Sequence, residues 1–401
     1  MRNRNLLLAL SIFFAVFLSG CGGGDGSNNG ASDIVDVNSE ENNLKFAHAL
    51  ATTGSAGSPL TPAQIKQLYN IPDPVGSSKV IIIVAYHYPN LQSDTNAFFS
   101  KYGLTPPTLF IENLAGNSQN KNWALEATLD VAMVGIANPK AQIYVVEAKS
   151  ASASDLTAAI QVGINVAASP AVISMSWGGP EFSTQGSKYS EFSNSNSVFV
   201  AAVGDSGYVN YPASQPGVIA VGGTTVKLTS SGTRQSETPW GSGGCGISSY
   251  ESKPTYQNIA TVAAANGTGY RSVPDVAFFA DPNPGVSVYN SANGGWVSVG
   301  GTSVSTPLFA GIISLANASR FSKKLPLLTS AIGAKSALQP YLYDLMSSYG
   351  GPNNSTVLYD VGSGVVCPQV KNSNPTAGYT IVSGLGTVDA KALIDYLDTK
   401  P

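Results

Sequence analysis

Histidine and charge are what this chain has least of. Its 401 residues include two histidines, His48 and His87, and only 11% are Asp, Glu, Lys or Arg. With so little imidazole, proton transfer at any site must fall mainly to carboxyl groups. The sparse charge sums to a net −3 with no basic cluster, which gives a nucleic acid nothing to bind. Cysteine is equally spare, at three residues. A long membrane-crossing run is also missing, because the one candidate, residues 6–18, is too short for a dependable span. What remains in quantity is 42 Gly, 24 Pro and 43% hydrophobic residues, a globular and loop-rich composition.

Arg2 and Arg4 precede that apolar run, and Leu18-Ser19-Gly20-Cys21 follows it. This resembles a bacterial lipoprotein signal with its lipobox, so residues 1–20 read as a signal peptide. The resemblance implies lipidation of Cys21 and a membrane tether. The rival is an ordinary secretory signal in which Cys21 is incidental. Gly22 stands where many lipoproteins held in an inner membrane carry Asp, which leans toward the outer membrane or cell surface of a bacterial envelope. Residues 21–57 are dominated by small polar residues, cannot bury a core, and read as a flexible tether that also holds His48. No further linker appears in 58–401, which reads as one large domain and a monomer. In an exported chain Cys245 and Cys367 either pair or stay as two buried thiols.

From Pro59 onward short β-rich runs alternate with helical ones. Candidate strands are 79–85, 142–147, 172–176, 198–203 and 218–221, mostly continuous apolar runs, as strands buried on both faces are. Helices are expected at 61–69, 91–102, 123–137 and 155–167, with Pro139 closing the third. Residues 286–289 and 296–299 flank an Asn293-Gly294 turn and read as a hairpin. It delivers the chain to Ser303, where a long apolar segment, 303–318, continues as a helix. The pattern is that of a doubly wound, mostly parallel α/β sheet with helices on both faces.

Three separated motifs carry chemistry. The helix 123–137 is apolar on nearly every face, yet it holds Glu126 and Asp130 one turn apart as its only charges. Two ionised carboxylates there repel, and burial worsens this, so one is expected to keep a proton and donate it to the other. The bland reading is a solvated surface stripe. Gly300-Gly-Thr-Ser303 places a serine hydroxyl at a helix start, where backbone N–H groups favour developing negative charge. Serine needs a base beside it. His48 lies in the tether, and His87 lacks the His-Gly-Thr context of a subtilisin, which leaves Glu126 as the candidate. Finally Val203-Gly-Asp-Ser-Gly207 puts Asp205 at the end of a strand, the edge where open α/β sheets place ligands.

Taken in order, Trp123-Ala-Leu-Glu-Ala-Thr-Leu-Asp-Val131, Ser174-Met-Ser-Trp-Gly-Gly179, Ala202-Val-Gly-Asp-Ser-Gly207, Tyr211-Pro-Ala-Ser, Ala220-Val-Gly-Gly-Thr224 and Gly300-Gly-Thr-Ser-Val-Ser-Thr-Pro307 resemble the sedolisins. These are serine-carboxyl peptidases with a subtilisin-like fold, and the similarity runs from about Pro59 to the C-terminus. The resemblance implies Ser303 as nucleophile, Glu126 as its base, Asp130 as the residue holding Glu126, and Asp205 as the acid that stabilises the oxyanion. It also implies protein or peptide substrates, an acyl-enzyme, an acidic bell-shaped optimum, and chemistry that requires no cofactor. Where relatives carry a long folded prosegment, 21–58 offers only a tether, as in the subgroup lacking one. The family's calcium site would draw on Asp360, Val361 and Gly378, but Thr380 stands where an acidic ligand is usual, which weakens the expectation of calcium. Val84 occupies a position at the end of the first strand that is acidic in many relatives, with His87 nearby. Two alternatives stay in view. One is a catalytically silent, surface-anchored binding protein on the same fold. The other is a lipase-like esterase, whose Gly-x-Ser-x-Gly elbow is absent around Ser303.

Overall fold

Lys79–Ala85 (β1) reads Lys-Val-Ile-Ile-Ile-Val-Ala and is buried over all but its first residue, as befits a strand covered on both faces. It lies inside an eight-stranded sheet in the computed structural model. The structure describes residues 58–401 except 169, 189–191, 193–195, 332, 349–355, 362–363, 366 and 371–377; the signal, Cys21 and tether readings at 1–57 fall outside the described residues. The other strands are Thr108–Asn113 (β2), Gln142–Ala148 (β3), Val172–Met175 (β4), Val198–Ala202 (β5), Val218–Leu228 (β6), Arg234–Pro239 (β7) and Val276–Phe279 (β8). Their order across the sheet is β8-β6-β5-β4-β1-β3-β2. All pairings along this path are parallel, and β7 adds antiparallel to β6.

The pleat sends alternate residues to opposite faces. Val172, Val198, Val200, Ile219 and Val221 join one apolar core. Ile173, Phe199, Ala201, Val218 and Ala220 join the other. Pro62–Leu68 (α1), Leu91–Lys101 (α2), Lys121–Ala137 (α3) and Ala153–Ala167 (α4) match the helical segments read from sequence to within a few residues. Thr302–Ser322 (α5) is longer than its apolar run suggests, extending to Ser322. Ala390–Leu397 (α6) closes the chain, capped by Asp389, whose carboxylate accepts from Ala392 N at 2.8 Å.

Three strands and one turn differ from what the sequence suggests. β2 is missing from the candidate strands because it is an edge strand, exposed along most of its length, and so lacks an apolar run. The polar β7 is missing for want of an apolar run, and the short β8 is missing although it is apolar and fully buried. The hairpin of Val286–Asn290 (β9) and Gly295–Val299 (β10) is present. Its connection, however, is a 3-10 turn over Ser291–Asn293 closed by Gly294 in the left-handed region, wider than a two-residue Asn-Gly turn. Cys245 and Cys367 form a disulfide, with Cα atoms 5.9 Å apart across 122 residues of sequence.

Candidate active site

Two helices set the site. α3 and α5 run side by side, and their C-terminal halves touch where Gly311 faces Val134 and Ala137. A Cβ on Gly311 would stand 2.6 Å from the Ala137 Cβ and 3.1 Å from the Val134 carbonyl oxygen. One turn on, Asn138 Nδ2 donates to Ser314 Oγ at 2.9 Å. Stepping back eight residues from Gly311 reaches Ser303, and eight back from Val134 reaches Glu126, each about 12 Å along its axis. The parallel packing therefore brings Ser303 level with the carboxylate turn of α3.

The helix start at Ser303 depends on two glycines. Gly301 has φ of 112°, and a Cβ on Gly300 would lie 2.5 Å from Pro282 N and 2.6 Å from the Ala280 carbonyl oxygen. At the other partner, Asn120 caps α3 by accepting from Asn122 N and Trp123 N. Asn290 of the hairpin then donates to Ala124 O at 3.0 Å and to Thr128 Oγ1 at 3.2 Å, fixing the turn that carries Glu126.

Glu126, Asp130 and Ser303 are all buried, which disposes of the solvated-stripe reading of the helix pair. Ser176, just past the end of β4, links two of them. Its hydroxyl donates to Asp130 Oδ1 at 2.6 Å, and its carbonyl oxygen accepts from Ser303 Oγ at 3.3 Å. Burial pushes the Asp130 carboxyl well above the ordinary range, with the Ser176 hydrogen bond pulling the other way. Asp130 Oδ2 is buried with no hydrogen-bond partner among the described residues. In the protonated acid, that oxygen is the natural place for the proton.

Asp205 sits in the loop after β5 and is half-buried. Its Oδ1 accepts from Thr302 N and from Thr302 Oγ1, both at 2.8 Å, so it is locked to the residue preceding the nucleophile. Desolvation raises its carboxyl, while both Thr302 bonds act in the opposite sense. Since Oδ1 takes both donations, a proton on the neutral acid belongs on Oδ2, free to donate outward. Ser176 and Thr302 were not singled out from sequence. Their signal was slight, a hydroxyl ending an apolar strand and a hydroxyl beside the nucleophile.

The edge near Val84 has its own carboxylate. Val84 lies in register with Glu147 of β3, whose Oε2 meets His87 Nδ1 at 2.7 Å and whose Oε1 accepts from Tyr88 N at 2.9 Å. Burial raises the Glu147 carboxyl. His87 is thus tied to Glu147, and its backbone N–H donates to Ser118 O at 2.7 Å.

The residues named for calcium lie near the C-terminus. Asp360 and Val361 precede the turn that begins at Gly378. Thr380 Oγ1 is committed within that turn, at 2.8 Å from Ser383 Oγ and accepting from Ser383 N at 3.0 Å. The Thr380 and Gly384 backbones close it with reciprocal bonds of 3.0 and 2.8 Å. Calcium takes six to eight oxygens, commonly several from carboxylates. Among the described residues no group of three or more His, Cys, Asp or Glu is arranged to hold a metal.

Comparison with known proteins agrees with the geometry. The Subtilase family profile matches residues 112–332, more than half of the chain. Kumamolisin of Bacillus sp. (strain MN-32) is 30% identical over 289 residues, covering 64% of this chain and 52% of that protein. Sedolisin of Pseudomonas sp. (strain 101) is 35% identical over 170 residues, covering 39% and 27%. Tripeptidyl-peptidase 1 of Dictyostelium discoideum is 27% identical over 338 residues, covering 76% and 52%. The chain therefore spans about half or less of the length of these relatives. Among solved structures, Pseudomonas sedolisin (serine-carboxyl proteinase) complexed with two molecules of pseudo-iodotyrostatin superposes with a TM-score of 0.71 at 25% identity. That match covers 86% of this chain and 99% of the other. A buried serine at a helix start beside a buried carboxyl pair, on a doubly wound sheet that superposes on sedolisin, leads to one assignment: the chain belongs to the subtilase family, and within it to the sedolisins.

Proposed function

We propose that this chain is an acid-acting serine-carboxyl endopeptidase. The observation that carries the reading is Ser176, whose hydroxyl holds Asp130 and whose carbonyl oxygen holds the Ser303 hydroxyl, with Asp205 locked beside them on Thr302. In the proposed reaction Ser303 Oγ attacks the carbonyl carbon of a peptide bond while Glu126 accepts the hydroxyl proton. Asp130, neutral because it is buried, donates to Glu126 and holds it in place. Asp205, kept neutral by its desolvated surroundings, donates to the oxygen as it becomes anionic, joined by the Ser303 N–H at the start of α5. Glu126 returns its proton to the departing amine, leaving an acyl-enzyme. It then takes a proton from water, which attacks the ester, and passes that proton to Ser303 Oγ as the acid is released.

Two opposed conditions limit the rate. Glu126 must be ionised and Asp205 must not be, so the pH profile is a bell on the acid side of neutrality. In this proposal the substrates are proteins or peptides and the chain is a monomer. Export and attachment to the bacterial envelope through Cys21 rest on the sequence motif at residues 18–21.

Cleavage of an acid-denatured protein by the purified chain, compared with Ser303→Ala, tests the mechanism. The parent should produce internal fragments in acid, and the variant should lose at least about a thousandfold in kcat/KM. Undiminished cleavage by Ser303→Ala sinks the assignment. Exclusive release of N-terminal tripeptides would replace the endopeptidase mode with that named for several relatives.

A further inference from the structure

Large apolar side chains in full view of water are few, and the two most exposed among the described residues are Phe321 at 72% and Val75 at 67%. Both lie close in the chain to a point where Gly76 meets Ala318. Val75 precedes Gly76, where a Cβ would stand 3.9 Å from the Ala318 Cβ, and Phe321 lies one helical turn beyond Ala318. Both occupy the rim where the parallel strands begin and α2, α3 and α5 end. Ser303 is at the other end of α5, eighteen residues and about 27 Å away along the axis.

Exposed lysines share this rim with the apolar pair. Lys140 follows α3 and donates to Pro74 O at 3.3 Å, next to Val75. Lys324 follows Phe321 closely, and Lys101 ends α2 on the same rim. These three are exposed, and none makes an ion pair among the described residues. The acidic groups facing the rim are largely engaged: Asp73 pairs with Lys66 at 2.8 Å and Asp398 with Lys323 at 2.6 Å. Lysine at a helix C-terminus has a ready explanation in the helix dipole. That explanation does not extend to two large apolar side chains held out in solvent on the same rim. No helix among the described residues is long and apolar enough to cross a membrane.

We infer that this rim docks on an anionic lipid surface, with Phe321 and Val75 entering the headgroup layer and Lys101, Lys140 and Lys324 meeting its negative charge. Apolar side chains supply burial and lysines supply attraction, the two contributions a surface-lying protein combines. The contact leaves the Ser303 edge turned away from the membrane. The inference is independent of the peptidase reaction, because no residue in it belongs to the site at Ser303.

The test uses the full chain carrying Cys21→Ser, so that an introduced thiol labels alone beside the Cys245–Cys367 disulfide. An environment-sensitive fluorophore is attached at Phe321→Cys, or at Tyr208→Cys near the active-site edge as the reference. Vesicles of phosphatidylcholine, with and without phosphatidylglycerol, carry a quencher on the lipid chains. The expected result is a blue shift and quenching at position 321 with phosphatidylglycerol present, and little change at position 208. Raising salt from about 0.1 M to 1 M, which shortens screening from about 10 Å to 3 Å, should release the protein from this contact. Adding Lys140→Glu with Lys324→Glu should weaken partitioning about tenfold or more, since each lysine near such a surface is worth roughly fivefold. Val75→Asp should weaken it as well, and unchanged melting temperatures certify that each variant is folded. Equal quenching at the two positions, or none at 321, overturns the inference. A blue shift at 321 that grows with protein concentration in the absence of vesicles also overturns it, assigning the face to a second copy of the chain.

Discussion

Asp205 illustrates how much a single side chain's surroundings decide. On its own a Gly-Asp-Ser-Gly stretch is a turn, and the carboxyl in it would ionise in mild acid. Here burial raises the group, and Thr302 occupies one of its oxygens with two donors, leaving the other to carry a proton. The sign of the pH effect follows. The neutral form donates to an oxyanion and the ionised form repels it, so activity should fall as pH rises through the raised Asp205 value. Asp205→Asn keeps an acceptor for Thr302 and a donor on the other side, but cannot ionise. The expected outcome is a kcat/KM lower by up to about a hundredfold at the optimum, with the descending alkaline limb moved upward or lost. A pH–rate series on parent and variant decides it, and an unchanged descending limb would remove Asp205 from its proposed role.

Among the elements, α3 and α5 matter most, because the site exists only where they lie side by side. They meet tightly at Gly311, eight residues beyond the nucleophile. Gly311→Val forces two branched carbons against Ala137 and the Val134 backbone, neither of which is a flexible side-chain end. Overpacking of this kind costs about 1–3 kcal/mol, so the melting temperature should drop by several degrees. Catalysis should suffer beyond that loss. Spreading the helices displaces Ser303 from Glu126, and kcat should fall with KM little changed at temperatures where the variant is fully folded. A variant that keeps parental kcat would show that the register of the two helices is not what aligns the site. Much at this scale was legible in the residues. The carboxylates of α3 stand out because its remaining side chains from Trp123 on are uncharged, and β1 announces itself by an unbroken apolar run. β2 could not be read the same way, since an exposed edge strand carries no such run, and the turn at Ser291–Asn293 hid behind an Asn-Gly pair that suggested something tighter.

Over the whole molecule, several buried or half-buried carboxyls are pushed upward together. Burial is the leading cause at Asp130, Asp205, Glu147, Glu237 and Glu251. Each binds its proton more tightly folded than unfolded, so the stability it contributes is fully present below the ordinary values of 3.8 for Asp and 4.5 for Glu and is lost as pH rises through the raised value. Asp73 is shifted the opposite way by Lys66, but it lies at the surface, where screening makes such a pair weak. The fold should therefore be more stable in mild acid than at neutrality, the reverse of a protein whose carboxylates are held ionised by salt bridges. Thermal melts between about pH 4 and 7 check this, and a melting temperature that rises across that window would contradict it.

By itself the sequence determined the alternation of elements, the layered sheet, the four residues expected to carry chemistry and the family they resemble. Those properties live in local patterns: apolar runs, a helix period, and short motifs in order. Only the tertiary structure decided that Ser176 joins Asp130 to Ser303, that Thr302 orients Asp205, that Glu147 supplies a carboxylate in register with Val84, and that Cys245 meets Cys367 across 122 residues. It likewise turned Thr380 inward to close its own loop, where sequence had left a metal ligand in question. The physical reason is the same in each case. Hydrogen bonds and burial join residues far apart in the chain, and which groups meet depends on sheet order and helix packing, neither of which is written in any local run of residues.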